Sequence, residues 1–249
     1  MTAGHDAGGR AGWTAPGRTW RLSEFDIFRD LPPADLDHIA RSAPMREVDA
    51  GTTLISPEYD SEILFILKRG RVRLYRLAAD GRTLTTAIIE GGQIFGEMVL
   101  LGQRLDDSYA EALDPSIICV MSRDDVYRLL LSDARVAARI AESLGARVAE
   151  LERRLGDTVL KSVPARIASA LAALSGMGTS DIRLTHSQLA DLVGTTRETI
   201  TKVLGDLRDR GVIRLGRGRI RVTDATRLLL LAENASLAPV TGGHSSRSH

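Results

Sequence analysis

One cysteine in 249 residues removes several chemistries at once. Cys119 alone cannot close an internal disulfide, and one chain with a single thiol cannot build a four-cysteine iron–sulfur site. Histidine is also sparse. Apart from the two ends of the chain only His38 and His186 occur, so no metal-ligand spacing is present. No apolar run approaches the ~20 residues of a membrane span. The first twenty residues are rich in Gly and Ala, broken by charges, and contain no apolar signal core. These absences predict a cytoplasmic protein without membrane contact. A net charge of +1 excludes a strongly polyanionic or polycationic chain.

The small net charge hides an asymmetry. Residues 161–233 hold 12 Lys/Arg against 7 Asp/Glu, an excess of five, so the remainder carries about four negative charges. Arg208, Arg210, Arg214, Arg217, Arg219 and Arg221 crowd the latter part of that segment. A basic end joined to a mildly acidic remainder fits nucleic-acid binding at one end only.

Residues 1–20 and 234–249 read as disordered tails. Ser23 to Phe28 reads as a short helix, and Pro32-Pro33 open another with Leu36 and Ile39 on its buried side. From Met45 to Ser122 the pattern is short strands and turns. Ile63 to Leu67 and Ser116 to Met121 are almost continuously apolar, while Val72 to Arg76 alternates apolar and basic. Asp80-Gly81 marks a hairpin, and Cys119 falls in an apolar strand as inert core. A long helix over 132–160 follows. Ala137, Leu144, Leu151 and Thr158 repeat every seven residues, interleaved with Ala141, Val148 and Leu155, the a/d seam of a two-stranded coiled coil. Leu144, Val148, Leu151 and Leu155 are therefore the candidate dimer interface. Packing of the helix on its own sheet is the alternative. Ser162-Val163-Pro164 ends the helix, caps the next and marks a candidate hinge.

The segment Leu184 to Leu204 reads as two short amphipathic helices joined at Gly194. Leu189, Leu192 and Val193 line one face of the first; Ile200, Val203, Leu204 and Leu207 line one face of the second. Arg197, Glu198, Thr201 and Lys202 occupy the opposite side, where side chains can reach base edges. Ile182 to Leu184 predicts a short strand, and Val212–Leu215 with Arg219–Val222 predict a two-stranded wing with Arg217 at its tip.

These features resemble the cyclic AMP receptor protein/FNR family of bacterial transcription regulators over about residues 22–232. Val193-Gly194-Thr195-Thr196-Arg197-Glu198-Thr199-Ile200-Thr201-Lys202-Val203-Leu204 is similar to the family's Val-Gly-x-Ser/Thr-Arg-Glu-Thr-Val-x-Arg-x-Leu. Gln93 to Leu101 resembles the start of its phosphate-binding cassette. The resemblance implies an α+β protein in five parts: tail 1–20, β-roll sensor 21–131, dimerisation helix 132–160, winged helix-turn-helix 161–233, and tail 234–249. It implies that Arg197 reads guanine and that Glu198 accepts from cytosine. Lys202 stands where the family's best-studied members have arginine, and lacks the planar fork. Thr185, Ser187, Thr196 and Arg217 would hold phosphates. Were Thr195 the helix cap, Glu198 would close a capping box and be partly engaged there.

In the cyclic AMP binders of this family, Gly-Glu engages the ribose and an Arg-Ser/Thr pair grips the phosphate. Phe95, Gly96, Glu97 and Met98 form the first part here, and Ser108 falls where the hydroxyl would be. Asp107 precedes it, and a carboxylate repels a phosphodiester. Arg104 is the nearest substitute. The pattern argues against cyclic AMP control and for a different effector or none. The expected protein is a homodimer that binds double-stranded DNA at pseudo-palindromic sites and contacts RNA polymerase, with no cofactor. A cyclic-AMP-responsive regulator with a rearranged phosphate contact remains an alternative, as does a ligand-binding module acting through protein contacts. Glu97, Asp106 and Asp107 accompany no nucleophile–base pair, so an enzyme is not expected.

Overall fold

The computed structural model describes residues 28, 32–34, 45–58, 62–97, 107–176 and 181–233. Both tails lie outside these residues, as do most of the two short helices expected before Met45. The chain divides into two compact units, Met1–Leu151 and Glu152–His249.

Two four-stranded antiparallel sheets make up the first unit. One has the order β1(Met45–Val48), β8(Ser116–Ser122), β3(Ile63–Arg69), β6(Ile94–Glu97). The other runs β2(Thr53–Ile55), β7(Ser108–Ala112), β4(Arg71–Leu77), β5(Thr83–Glu90). The continuous apolar runs have a direct cause: the first sheet is covered on both faces. Phe65, Leu67, Phe95 and Ile118 point between the sheets and meet Val72, Leu74, Ala110 and Ala112 from the second. Leu64, Ile66, Ile94, Cys119 and Met121 point the other way and pack on helices. The second sheet has one covered face, so β4 alternates. Val72 and Leu74 are buried, whereas Arg73 and Tyr75 lie outside. There the Tyr75 and Tyr109 rings stack at 5.1 Å, Arg73 lies 4.1 Å from the Tyr75 ring centroid, and its guanidinium pairs with Glu111 at 3.2 Å. Between β4 and β5 the expected Asp-Gly turn forms, with the Arg82 N–H donating to Asp80 Oδ1 at 3.1 Å.

The helices on the outer face of the first sheet are α1(Arg123–Ser132) and the start of α2(Ala134–Leu160), which contribute Val126, Leu129, Val136 and Ile140 to the core. Helix α1 is an addition to the sequence reading, which passes from strand to long helix without it. Ser122 caps it: its hydroxyl accepts from the Asp125 N–H at 3.3 Å, and the Asp125 carboxylate accepts from the Ser122 N–H at 3.0 Å. Burial alone would raise the Asp125 pKa, but these bonds and the Arg128 guanidinium hold it below the usual carboxylate range.

Cys119 is fully buried, and burial together with the nearby Asp125 charge pushes its thiol up to about 12. At pH 8 a disulfide reagent should therefore label the folded protein at least about a thousandfold more slowly than an unfolded control, because the thiolate is scarce and inaccessible. Rapid labelling of the folded chain would show Cys119 to be reachable.

In the second unit α3(Val163–Gly176) and α6(Ala225–Glu233) pack on each other, beside α4(His186–Val193), α5(Arg197–Asp209) and a three-stranded sheet. That sheet has the order β10(Ile213–Gly216), β11(Arg219–Val222), β9(Asp181–Ile182). Helix α6 is a second element the sequence reading omits; Asp224 Oδ1 accepts from the Arg227 N–H at 2.9 Å at its start, and Leu228 and Ala232 are buried.

Candidate nucleic-acid interface

Three local devices hold the two helices of the motif. Thr185 caps α4, its hydroxyl accepting from the Gln188 N–H at 3.1 Å while Gln188 Oε1 accepts from the Thr185 N–H at 2.9 Å. Gly194 ends the helix with φ 72° and ψ 53°, a left-handed conformation that a side chain rarely adopts, and its N–H donates to the Ala190 carbonyl. Thr196 then caps α5 by accepting from the Thr199 N–H at 3.3 Å. Leu189, Ala190 and Val193 on α4, and Ile200, Val203, Leu204 and Leu207 on α5, are all buried. The apolar faces fix the helices, and the polar face of α5 is left exposed.

On that face Arg197, Glu198, Thr201 and Lys202 are exposed. Arg197, Glu198 and Thr201 lie within one helical turn, since positions three and four apart share a face. The cap is Thr196 rather than Thr195, which corrects the capping-box alternative: Glu198 sits one position earlier than such a box requires. Its carboxyl is nevertheless held below its ordinary range, first by its own backbone N–H, then by the Thr196 hydroxyl and the Arg197 charge. An ionised Glu198 can only accept hydrogen bonds. Thr185 and Ser187 are exposed at the start of α4. The Thr185 hydroxyl spends a lone pair on its cap and its O–H can still donate outward, whereas the Thr196 hydroxyl, besides capping, faces Glu198 and lies 3.1 Å from the Thr199 hydroxyl.

Arg217 is exposed at the tip of the β10–β11 hairpin, beside Gly218 with its φ of 66°. The neighbouring basic cluster is less cationic than its sequence indicates. Arg221 forms a two-pronged pair with Asp181, at 2.6 and 2.9 Å, and Arg219 lies 4.0 Å from the same carboxylate. The Arg221 hydrogen bond holds Asp181 below the usual carboxylate range, so the pair stays charged at neutral pH. Arg208 is likewise paired, 2.8 Å from Asp209.

Another contact could not be read from local pattern. Arg154, near the end of α2, donates to the Leu192 carbonyl in the last turn of α4 at 2.6 Å. A cation suits that carbonyl end. At the α2–α3 corner, Lys161 donates to Ser169 Oγ at 2.8 Å and pairs with Asp157 at 2.9 Å, while Arg166 donates to the Thr158 carbonyl at 3.2 Å. The corner expected to be a hinge is thus braced from both sides.

The described residues expected around an effector fall on β6 and at the start of β7. Phe95 is fully buried and stacked on Phe65, ring centroids 5.0 Å apart, so it serves the core of the roll. Gly96 has φ 138°, and a Cβ there would collide with the Ile63 carbonyl; close pairing of β3 and β6 accounts for this glycine. Glu97 is the last residue of β6, opposite Ile63. Asp107 is exposed with φ 54°, and Ser108 is buried at the start of β7, opposite Arg76. Met98 and Arg104 lie outside the described residues. Among the described residues no three His, Cys, Asp or Glu side chains are grouped to hold a metal, and no helix is long and apolar enough to cross a membrane.

The stripe on α2 divides. Leu144 packs against the helix-covered core of the roll. Val148, Leu151 and Leu155 are 55%, 40% and 67% exposed, as is the adjoining Val159 at 75%.

Comparison with known proteins gives two family matches: the cyclic nucleotide-binding domain over residues 45–133 and the Crp-like helix-turn-helix domain over residues 165–231. A cyclic AMP receptor protein of Thermus thermophilus is 30% identical over 203 residues, which is 81% of this chain and 94% of that protein. A global nitrogen regulator of Synechococcus elongatus is 28% identical over 79% of this chain and 90% of its own. Among solved structures, a CRP/FNR-family transcriptional regulator of Thermus thermophilus is 29% identical with a TM-score of 0.63, covering 77% of this chain and 99% of that one.

Proposed function

The chain belongs to the CRP/FNR family of transcription regulators, and from that premise we propose a homodimer that binds pseudo-palindromic DNA sites with one α5 helix in each of two successive major grooves. The observation that carries this reading is the recognition edge itself. Arg197, Glu198 and Lys202 are exposed on a helix whose opposite face is wholly committed to the core. Arg197 would read guanine with its planar fork, Glu198 would accept from cytosine N4, and Lys202 would give a looser guanine contact. Thr185, Ser187, Thr196 and Arg217 would position the backbone through phosphates. The protein works in the cytoplasm, contacts RNA polymerase when bound near a promoter, and catalyses no reaction.

Selection from a random DNA pool tests this directly. The expected product is a two-fold-symmetric sequence with half-site centres about one helical turn, ~34 Å, apart. Recovery of no enriched sequence would favour a ligand-binding module that works through protein contacts.

Control by cyclic AMP is not part of this reading. Exposed Asp107 immediately precedes Ser108, the hydroxyl that would receive the cyclic phosphate. A carboxylate there opposes the anion instead of donating to it. Thermal melting of the purified protein is expected to show no shift with cyclic AMP. A ligand present at a hundred times its dissociation constant would stabilise by about 2.7 kcal/mol, several degrees for a chain of this size. A shift of that order would instead support a rearranged contact through Arg104. The same assay with other cyclic nucleotides and 2-oxoglutarate, run beside DNA binding, searches for a different effector or for binding without one.

A further inference from the structure

Thr201 stands among the base-reading residues, yet its hydroxyl is occupied. Oγ1 lies 2.9 Å from the Arg197 carbonyl, one turn back along α5, and 2.9 Å from Nδ1 of His186 at the start of α4. A hydroxyl has one proton. If that proton went to the imidazole, two acceptor oxygens would face each other at the Arg197 carbonyl without a hydrogen between them. Both contacts are satisfied by one arrangement: Thr201 donates to the carbonyl, and His186 donates from Nδ1 to Thr201.

The consequence is directional. With Oγ1 turned back towards the helix and tied to a second helix, the Thr201 rotamer is fixed and its proton is spent. The group left for the exterior by this exposed side chain is its γ-methyl. In the major groove the one base feature that an aliphatic methyl recognises is the C5-methyl of thymine. We propose that Thr201 is a specificity-determining residue that reads a thymine in each half-site through methyl–methyl contact, with His186 holding the rotamer. This rests on the DNA-reading role argued above for α5, and it gives Thr201 a base preference and a mode of contact.

The test uses the unmodified protein first. In the DNA sequence selected by the wild-type chain, each half-site thymine is replaced in turn by deoxyuridine, which removes the C5-methyl and leaves every hydrogen-bonding group. One thymine per half-site should be sensitive, its replacement weakening binding about fourfold, the effect of removing one buried methyl-sized group. Two isosteric or near-isosteric variants then separate methyl from hydroxyl. Thr201→Val keeps the methyl and should keep both the thymine preference and the sensitivity to deoxyuridine. Thr201→Ser keeps the hydroxyl and should bind thymine and uracil DNA equally. The proposal is overturned if no thymine responds to deoxyuridine, or if Thr201→Ser retains the preference and Thr201→Val loses it. If either result appears while Arg197-dependent selection persists, the DNA-reading role of α5 stands without the methyl contact. A wild-type chain that selects no sequence at all removes both.

Discussion

Replacing Arg197 with alanine is expected to collapse operator discrimination while leaving much of the non-specific DNA affinity in place. A two-pronged arginine–guanine contact is worth about 1–3 kcal/mol of discrimination, roughly five- to 150-fold per half-site. In a symmetric complex both half-sites lose it. The wild-type and variant affinities for a scrambled duplex should differ far less, because that binding arises from counterion release around phosphates and is carried by many cations. Arg197→Lys should lie between the two, since lysine retains charge but not the fork. Fold loss is not expected to confuse the result, because the Arg197 side chain is exposed and α5 is anchored by Ile200, Val203, Leu204 and Leu207. The measurement is a titration of both duplexes at several salt concentrations. An operator affinity unchanged in Arg197→Ala would mean that another element reads the bases.

The reach of the sequence differs between elements for physical reasons. Strands β3 and β8 are legible because burial on both faces writes a continuous apolar run. The α4–α5 turn is legible because two threonine caps and a left-handed Gly194 each leave a residue-level mark. Helix α1 is harder to see. Its capping box uses aspartate at the third position instead of Glu or Gln, and only Asp133, extended at φ −155°, separates it from the long helix. The rest depends on partners that no local pattern contains. Arg154 reaches a carbonyl 38 positions away, and Arg221 reaches Asp181 across 40. Each arginine counts as a surface cation in the sequence, and each is committed in the fold. The same applies to Thr201. Its hydroxyl looks available until the bond to His186, 15 positions earlier, is known. At the sensor end the sequence brings Phe95 and Gly96 forward as candidates for a ligand, and the packing of Phe95 on Phe65 and the close approach of Gly96 to Ile63 are visible only in the fold.

Charging the exposed part of the α2 stripe should produce the other large effect. Leu151→Glu combined with Leu155→Glu is expected to halve the mass in sedimentation. It should also lower operator affinity at least about a hundredfold, because tethering converts the second half-site contact into an intramolecular event at high effective concentration. Neither leucine belongs to the core clusters of the first unit, and both are well exposed in the single chain, at 40% and 67%. The cost of the two charges therefore falls on association, and the monomer should keep its β-roll signature in circular dichroism. Leu144 supplies the contrast. It belongs to the same heptad series but packs on the Val136–Ile140 side of the core, so Leu144→Ala should lower the melting point of the fold as well. If instead the stripe served only its own chain, the double variant would melt early and sediment unchanged. Apolar side chains at positions 148, 151, 155 and 159 keep the spacing of one helical face for three turns. A stripe of that length left in water is unfavourable at about 25 cal/mol per Å² of apolar surface. In the proposed homodimer, burial against a second copy of the same stripe would relieve both copies and would join two recognition helices in one DNA-binding assembly.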